Sequence, residues 1–407
     1  MFSYPQIYLN VFKEDILDLF SGLLSPNKNK NKVKEFEEKF AEYIGSDYCV
    51  AMASGRQALF NILRTLDLEP GDEVIFPLFT FKPLPDLVKK LGYVIKFVDL
   101  KSGSLNIDIS SLRSCITPKT KVIVATHLGG IPCAIDEVME VALKHNIIVI
   151  EDCAHAVGVK YKDRTIGSFG DFAFFGFGPT KMLSTFEGGM VLCKSREHFL
   201  KLNLIIRKCV LPGRMFVLKK LIRLALYSIY TNQYIHGMFI IPISRFLRNK
   251  NKDLLLMVKS LKKREFYLEY RLFPFQAEIG LRHLACLDNS NEIIKNNYLY
   301  LLRLCWKGGA INESKYGIVQ YLLHLEVNNR KEFIDFMSTK KINFIIPRYS
   351  YFYSSSEISS FPNASDTDNK LVNTAFSYSL TRKDVEYIAK AILAYKGKVN
   401  FLYETTV

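Results

Sequence analysis

Residues 147–181 read IIVIEDCAHAVGVKYKDRTIGSFGDFAFFGFGPTK and contain two apolar runs, each short enough to form one strand. The first run leads directly into Glu151 and Asp152, and the second ends a few residues before Lys181. A carboxylate at the end of a buried strand needs a cation or a protonated heterocycle beside it, because an unpaired buried charge is costly. This stretch therefore predicts two strands of a buried sheet with a charged site at their ends.

Similar apolar, β-branched runs recur on both sides of this stretch and alternate with helical patterns. The seven runs are CVAMA (49–53), EVIFP (73–77), VIKFVD (94–99), KVIVAT (121–126), NIIVIED (146–152), DFAFFGF (171–177) and GMVLC (189–193). Such alternation is typical of βαβ units and predicts an α/β fold with a mostly parallel, seven-stranded sheet flanked by helices.

The second half of the chain changes character and predicts further units. It is helical and basic to about residue 305, then mixed, with strand-like GIVQYLLHLEV (317–327) and KINFIIP (341–347) and a closing helix. We predict three parts: a large α/β domain over 1–205, a basic and apolar insertion over 206–270, and a smaller α+β domain over 271–407.

Composition excludes several classes of protein. A chain of 407 residues with 49% hydrophobic residues can bury a large core, which excludes disorder. The eight cysteines include no CxxC pair, so we predict neither a zinc site nor a disulfide framework. The first twenty residues lack a basic region followed by an apolar one, and we therefore expect a cytoplasmic protein.

The positive charge is concentrated in one part of the chain. The formal net charge is +15, and residues 211–268 hold twelve Lys and Arg against two acidic residues. The uncharged run 224–244 is interrupted by TNQY and by Pro242, which argues against a membrane span. Basic residues beside apolar ones favour a segment that lies on an anionic bilayer, and the alternatives are a helix pair with solvated basic faces or a protein-binding surface.

This interpretation makes the protein peripheral, at the inner face of the cytoplasmic membrane. The predicted membrane-facing residues are Phe216, Lys219, Lys220, Arg223, Tyr227, Phe239, Ile240, Arg245 and Arg248. The segment is too apolar to follow a nucleic-acid backbone, and it contains no recognisable nucleic-acid-binding motif. We therefore do not expect it to bind nucleic acid.

Polar residues that follow apolar runs predict the binding site, because ligands of parallel α/β sheets bind beyond the carboxyl ends of the strands. Ser54-Gly55-Arg56 follows a strand and begins a helix, a combination that suits phosphate, although a plain turn is the alternative. Phe81 follows another strand and could stack on a flat ligand, unless it is a core residue. Asp152 and Lys181 are the pair that pyridoxal 5'-phosphate (PLP) requires, a carboxylate for its pyridine nitrogen and an amine for its aldehyde.

The chain resembles the DegT/StrS family of PLP-dependent sugar aminotransferases over nearly its whole length. The resemblance is carried by SGRQAL (54–59), PGDEVIFPLFTF (70–81), the stretch 149–181, EGGM (187–190) and YRLFPFQAEIGLRHLACLD (270–288). It implies the fold of type I PLP-dependent transferases and a homodimer with shared active sites. It also implies transfer of an amino group from an amino acid, glutamate by analogy, to a keto group of a nucleotide-linked sugar.

The resemblance assigns roles to individual residues. Lys181 matches the lysine that binds the cofactor aldehyde, and Asp152 matches the carboxylate beside the pyridine nitrogen. The other matched positions are His155 near the ring hydroxyl, Phe81 on the ring face, Ser54, Gly55 and Arg56 at the phosphate, and Glu187 after the lysine, on the substrate side.

The chain departs from the family pattern at three positions around the predicted phosphate site. Gly176 stands where relatives have a phosphate-binding Ser, Arg56 stands where many have Thr, and residues 207–210 (Arg-Lys-Cys-Val) replace an Arg-Asn-His-Gly segment. Our hypothesis is that the Arg56 guanidinium binds the phosphate and compensates, since guanidinium matches phosphate bidentately. The alternative is a solvated Arg56 with a phosphate held by backbone N–H groups.

The long connection before YRLFPFQ also leaves the acceptor open. About sixty residues intervene where relatives have a shorter connection, so a membrane-held lipid or lipid-linked keto sugar competes with the nucleotide-linked sugar as the acceptor. A non-catalytic PLP-binding protein that docks at membranes is the further alternative.

Overall fold

A seven-stranded sheet forms the centre of the protein in the computed structural model, which describes residues 3–5, 8–25, 29–240, 242–243, 246, 268–305, 316–317, 319, 321–352 and 356–402. Its strands are β1 Tyr48–Met52, β2 Glu73–Pro77, β3 Val94–Val98, β4 Thr120–Thr126, β5 Ile148–Asp152, β8 Phe172–Gly176 and β9 Gly189–Cys193; β6 Lys160–Tyr161 and β7 Arg164–Thr165 form a small hairpin. The order is β1-β9-β8-β5-β4-β2-β3, and only β9 runs antiparallel to its neighbours. All seven predicted strands and the mostly parallel sheet are confirmed.

Helices cover both faces of this sheet because the strands are apolar on both sides. Residues such as Ile123 and Val149 face one core cluster, while Val122 and Ile150 face the other. The helices of this part are α1 Lys13–Leu24, α2 Asn31–Ile44, α3 Gly55–Thr65, α4 Pro83–Lys90, α5 Ile109–Cys115, α6 Ile135–His145 and α7 Arg196–Lys208. Burial on both faces explains why these strands read as continuous apolar runs.

The C-terminal part is a smaller α+β unit. A three-stranded antiparallel sheet, in the order β12-β11-β13, is built from β11 Leu322–Val327, β12 Leu371–Ala375 and β13 Val399–Phe401, and β10 Tyr316–Gly317 pairs with β6. Helices α8 Arg214–Thr231 and α9 Gln233–Ile235 belong to the predicted insertion. The helices of the C-terminal unit are α10 Pro274–Ala285, α11 Leu287–Cys305, α12 Arg330–Thr339, α13 Pro362–Lys370 and α14 Arg382–Ala394. The two boundaries between the three predicted domains remain predictions. Helix α10 packs on α1 and α2 of the large domain.

The strand predicted at 341–347 is wrong. Ile342 pairs only with Tyr4, and Ile345 pairs only with Asn373, as two isolated bridges. The segment divides its backbone hydrogen bonds between the N-terminal segment and β12, since Asn343 N–H donates to Tyr4 O and Ile345 N–H donates to Asn373 O. Apolar residues at strand spacing therefore lie here in a connecting segment.

The predicted insertion leaves and rejoins the core at one place. Val210 pairs with Tyr270, and the Arg271 guanidinium donates to Cys209 O at 2.6 Å. The Gln57 amide of α3 donates to the carbonyls of Leu268 and Tyr270, both at 2.8 Å. The described part between these ends contains α8 Arg214–Thr231, the short helix α9 Gln233–Ile235 and a π-helical turn over His236–Ile240.

Helix α8 has an inner face and an outer face, both apolar. Val217 and Leu224 are buried in a cluster with Leu19, Phe273 and Ile279. The outer face carries the exposed side chains of Met215, Leu218, Ile222, Leu226 and Ile229. Within the described part of the chain, no helix combines the length and the apolar character that crossing a membrane requires.

His236 fastens the end of this helical segment to the N-terminal and C-terminal parts. Its ring is buried, and its Nδ1 lies 2.9 Å from Ser3 Oγ. Burial lowers the pKa of His236 to about 4, because the charged imidazolium loses hydration.

Acid should therefore destabilise the fold through His236. Its pKa in the unfolded chain is about 6.5, so the unfolded state binds more protons and stability falls as the pH drops from about 6.5 towards 4. From pH 7 to pH 4.5 the free energy of unfolding should fall by about 2 kcal/mol more in the wild type than in His236→Asn. Urea unfolding at both pH values measures this, with His145→Asn, at an exposed position, as the control. Equal pH dependence of wild type and His236→Asn would contradict the assignment.

Candidate active site

Glycines let three chain segments meet at the carboxyl edge of the sheet. A Cβ on Gly55 would lie 3.3 Å from Gly176 Cα, and a Cβ on Gly189 would lie only 2.7 Å from Ser54 C. Gly189 therefore has to lack a side chain so that the Ser54–Gly55 turn can lie against β8 and β9. By contrast, a Cβ on Gly176 would meet nothing closer than 3.7 Å, at Ala154 Cβ, so this position has room for a small side chain.

The turn after β1 presents the N-terminus of α3 to this edge. Ser54 has extended backbone angles and caps the helix, since its Oγ accepts the Gln57 N–H at 3.1 Å. The first intrahelical bond comes from Ala58 N–H, so helix geometry leaves the N–H groups of Gly55 and Arg56 to partners outside the helix. Together with the helix dipole, these groups suit an anion such as a phosphate. The Arg56 side chain, directly beside them, is half-buried.

The two neighbouring carboxylates of β5 have different roles because successive strand residues face opposite sides of the sheet. Glu151 is completely buried and accepts N–H groups from Gly167, Phe169 and Gly170 at 2.7–2.9 Å. Its Oε2 also lies 3.2 Å from Nε2 of His127. The ligand atoms of His127, Glu151 and Cys153 are close enough together for a metal. However, four donors already use the Glu151 carboxylate, which makes Glu151 a structural residue that fixes the loop before β8.

Asp152 is the last residue of β5 and is buried. Its Oδ1 accepts the Ala154 N–H at 3.0 Å. Burial raises the pKa of Asp152, whereas the positive charges of Lys181 and His127 lower it. Burial is the larger effect, so the pKa of Asp152 is raised overall. The pairing of Asp152 with Lys181 stays a prediction.

Tyr321 lies beside the amine of Lys181, and His155 packs against Tyr321. Lys181 Nζ lies 3.4 Å from Tyr321 Oη, and burial raises the pKa of Tyr321 well above its usual value, so the hydroxyl stays protonated. The His155 ring stands perpendicular to the Tyr321 ring, with centroids 5.5 Å apart. His155 Nδ1 accepts the Gly129 N–H at 3.2 Å, and burial lowers the pKa of His155 well below its usual value. His155 is therefore neutral and carries its proton on Nε2.

The sequence analysis missed Tyr321. It precedes β11 in the C-terminal unit, and its backbone carbonyl accepts the Phe376 N–H at 2.8 Å. Tyr321 is 140 residues from Lys181 in the sequence and lies in a segment without a motif. Nothing in the local sequence therefore indicates that its hydroxyl contacts the Lys181 amine.

Phe81 is the exposed aromatic residue of the segment after β2. Its side chain is 57% exposed, whereas Phe79 is fully buried. Phe81 is therefore not a core residue, and its ring is accessible to a flat ligand. The sheet order puts β4 between β2 and β5, so Phe81 lies on the far side of β4 from Asp152.

Glu187 binds the insertion. Its carboxylate pairs with Lys220 Nζ at 3.0 Å and with Arg223 Nη1 at 2.8 Å. The sequence analysis placed Glu187 on the substrate side and the two cations on the membrane side, and the structure brings the three together. The substrate role of Glu187 stays a prediction.

This pairing corrects the predicted membrane-facing set. The Lys220 side chain is 3% exposed, so lipid cannot reach it, and Arg223 is half-buried against Glu187. Phe216, Tyr227 and Ile240 are also half-buried, while Lys219 and Phe239 are exposed. Arg245 and Arg248 lie outside the described residues.

The sheet, with an amine, a carboxylate and a helix N-terminus at its carboxyl edge, defines the class: an α/β protein with the fold of type I PLP-dependent aminotransferases. Residues 20–216 match the sequence model of the DegT/DnrJ/EryC1/StrS aminotransferase family.

Individual relatives agree with this placement. The spore coat polysaccharide biosynthesis protein SpsC of Bacillus subtilis (strain 168) is 40% identical over 196 residues, 48% of this chain and 50% of SpsC. The dTDP-3-amino-3,6-dideoxy-alpha-D-galactopyranose transaminase of Aneurinibacillus thermoaerophilus is 28% identical over 381 residues, 89% of this chain and 90% of that protein. The chain spans about half the length of SpsC and of other relatives matched at similar identity.

A solved structure supports the fold over nearly the whole chain. Spr1654 from Streptococcus pneumoniae, in its PLP-form, superposes with a TM-score of 0.72 at 21% identity, over 96% of each chain. The fold expected from the sequence is confirmed.

Proposed function

We propose that this protein is a PLP-dependent aminotransferase that moves an amino group from an amino acid, glutamate, to the keto group of a nucleotide-linked keto-deoxy sugar. The observation that supports the proposal is topological: the α3 N-terminus, Asp152 and the loop with Lys181 follow β1, β5 and β8 at the same edge of the sheet. The dTDP-sugar transaminase aligned over 89% of the chain supports the sugar acceptor. We also propose a homodimer with shared active sites, which sedimentation equilibrium tests.

The residues at this edge fit PLP by their chemistry. The Lys181 amine would hold the aldehyde, Asp152 the pyridine nitrogen, and the N–H groups of Gly55 and Arg56 the phosphate. When bound, PLP supplies the electron sink that makes the amino acid Cα–H bond acidic. The exposed Phe81 offers a face for its ring.

Three side chains of this chain, Lys181, Tyr321 and His155, then hold or move protons at the site. The Lys181 amine would act twice: it would hold the aldehyde first and, once the donor's amino group has taken its place there, the released neutral amine would be the base that removes the donor's Cα proton. Neutral Tyr321, 3.4 Å away, holds this amine in place, whether the amine is charged or neutral, because a hydroxyl can both accept and donate a hydrogen bond. His155 presents an Nε2–H donor to the site, because its Nδ1 is used by Gly129.

A two-stage assay tests the function. Protein loaded with PLP should lose its visible absorbance on addition of glutamate and form 2-oxoglutarate, and a nucleotide-linked keto sugar should then restore the absorbance. If glutamate removes the visible absorbance but no such sugar restores it, the amino transfer from glutamate would still be supported. The nucleotide-linked keto sugar would then be refuted as the acceptor. A bound PLP that does not respond to any amino acid would favour the non-catalytic alternative.

Arg56 offers a sharper test of how the phosphate is held. If its guanidinium replaces the hydroxyl that relatives have at position 176, Arg56→Thr should weaken PLP binding about tenfold. Adding Gly176→Ser should restore part of the affinity, because a Cβ on Gly176 has room. Equilibrium titration of PLP into both variants measures this. Additive losses, or an Arg56→Thr variant with unchanged affinity, would refute the compensation and favour backbone N–H groups alone.

A second candidate acceptor is a lipid or lipid-linked keto sugar at an anionic membrane surface. It is favoured by the exposed apolar face of α8 and by the charge around it, since no acidic residue occurs between Glu197 and Asp253. Lys219 and Phe239 are the exposed members of the originally predicted set. The outer apolar residues Ile222 and Leu226 now complement them, in place of the buried Lys220.

Binding to liposomes tests this surface. The wild type should sediment with vesicles that contain acidic lipid, and high salt should release only part of it, because salt screens the charge term and leaves the apolar term. Ile222→Ser with Leu226→Ser should lose most of this binding, while Leu143→Ser, at a highly exposed site on α6, should not. Wild-type protein that stays in the supernatant at low salt would favour a packing or partner surface and the nucleotide-linked acceptor.

A further inference from the structure

The segment between Lys181 and β9 is folded back on itself and strained. Phe186 has a φ of +64°, a value that non-glycine residues rarely adopt, and Gly188 has a φ of +141°. Thr185 N–H donates to Phe177 O at 3.1 Å, and Phe177 N–H donates to Gly188 O at 2.9 Å. A strained backbone persists only when its surroundings hold it, so the contacts of this turn matter for the lysine that precedes it.

Part of this support comes from the core. The Phe186 ring is buried in a cluster with Leu19, Val217 and Phe273. The Gln276 amide donates to Thr185 O at 2.9 Å and to Glu187 O at 2.6 Å.

The remaining support comes from α8 of the insertion. Each oxygen of the Glu187 carboxylate binds one cation of this helix, Lys220 at 3.0 Å and Arg223 at 2.8 Å. The Lys220 and Glu187 side chains are only 3% and 12% exposed. Removing either cation leaves the poorly hydrated Glu187 carboxylate with fewer partners and disturbs the backbone that carries it.

We propose that Lys220 and Arg223 are positioning residues that hold the Lys181 loop in its reactive arrangement through Glu187. This inference rests on the proposed aminotransferase function in one respect, namely that Lys181 is the reactive amine. The insertion thus contributes to the active site without touching substrate or cofactor.

Four variants test this role of Lys220, Arg223 and Glu187. Lys220→Met and Arg223→Met each remove a cation, Arg223→Lys keeps the charge, and Glu187→Gln removes the carboxylate. Lys219→Met is the matched control, because Lys219 is an exposed cation on the same helix. Arg223 is 29% exposed, so Arg223→Met keeps the test available if Lys220→Met does not fold.

Two measurements separate positioning from a merely structural role. In the apoprotein, hydrogen exchange of the peptide covering 182–189 should speed up several-fold in Lys220→Met and Arg223→Met, and acetic anhydride should label Lys181 at a changed rate relative to the other lysines. PLP affinity should fall about tenfold. Arg223→Lys and Lys219→Met should behave like the wild type, and Glu187→Gln combined with Lys220→Met should be no worse than the more impaired single variant.

The outcomes distinguish this proposal from the proposed function. A wild type that binds no PLP would overturn the function, and exchange in the apoprotein would still test the role of α8. Variants that melt at lower temperature but keep wild-type exchange in 182–189, wild-type Lys181 labelling and wild-type PLP affinity would overturn the positioning role.

Discussion

Replacing Lys181 with alanine should abolish amino transfer from glutamate, with a loss of at least about 10⁴-fold, because one amine serves both as cofactor ligand and as base. Borohydride reduction of the wild type should attach PLP irreversibly to the peptide that contains Lys181. Single-turnover absorbance and peptide mass spectrometry measure the two effects.

The control for this substitution is Lys144→Ala, which removes an exposed lysine that pairs with Glu140 on α6. It should keep both activity and the label at Lys181. A label on another lysine, or turnover in Lys181→Ala, would contradict the site. Lys181→Ala should still bind PLP in part, because Asp152 and the α3 N-terminus remain.

Asp152→Asn should lower the rate of the half-reaction with glutamate by roughly 10²- to 10⁴-fold. The amide has nearly the same shape and can still accept the Ala154 N–H, but it lacks the charge that stabilises a protonated pyridine nitrogen. Stopped-flow absorbance with saturating PLP measures the rate.

Its neighbour provides the matched control. Glu151→Gln should lower the free energy of unfolding by about 1–3 kcal/mol, because it disturbs three backbone bonds and the contact with His127. The folded fraction of Glu151→Gln should keep most of its rate. If Asp152→Asn instead lost stability and kept its rate, Asp152 would be a structural carboxylate.

The main sheet was predictable because most of its strands are buried on both faces, the edge strand β3 being only partly buried. Such strands leave continuous apolar runs, and the polar residues at their ends stand out, which is how Asp152 and Lys181 were found. The run at 341–347 has the same composition, yet its backbone bonds go to Tyr4 and Asn373, two partners distant in sequence. Composition alone does not distinguish the two cases.

The contacts that complete the site could not be predicted in this way. The approach of Tyr321 to Lys181 and the pairing of Glu187 with α8 join residues that are 140 and 33–36 positions apart. The number of Lys and Arg residues over 211–268 shows that this part of the chain is basic. It does not show which of these cations face the core. Lys220 and Arg223 are three residues apart, on the side of α8 that meets Glu187, because helical neighbours at this spacing share a face.

The pairing of Val210 with Tyr270 bears on how this chain could diverge from its relatives. The two ends of the insertion are held side by side by this pairing. Because the entropy cost of closing a loop changes only slowly with loop length, a longer or shorter insertion would change the stability of the core little. Sequence drift over most of 211–268 would therefore be tolerated by the catalytic sheet. The exception is the inner face of α8, where a change has to preserve the charge opposite Glu187. A homologue that lacks this helix would need another cation, or a neutral residue at position 187, to keep the turn intact.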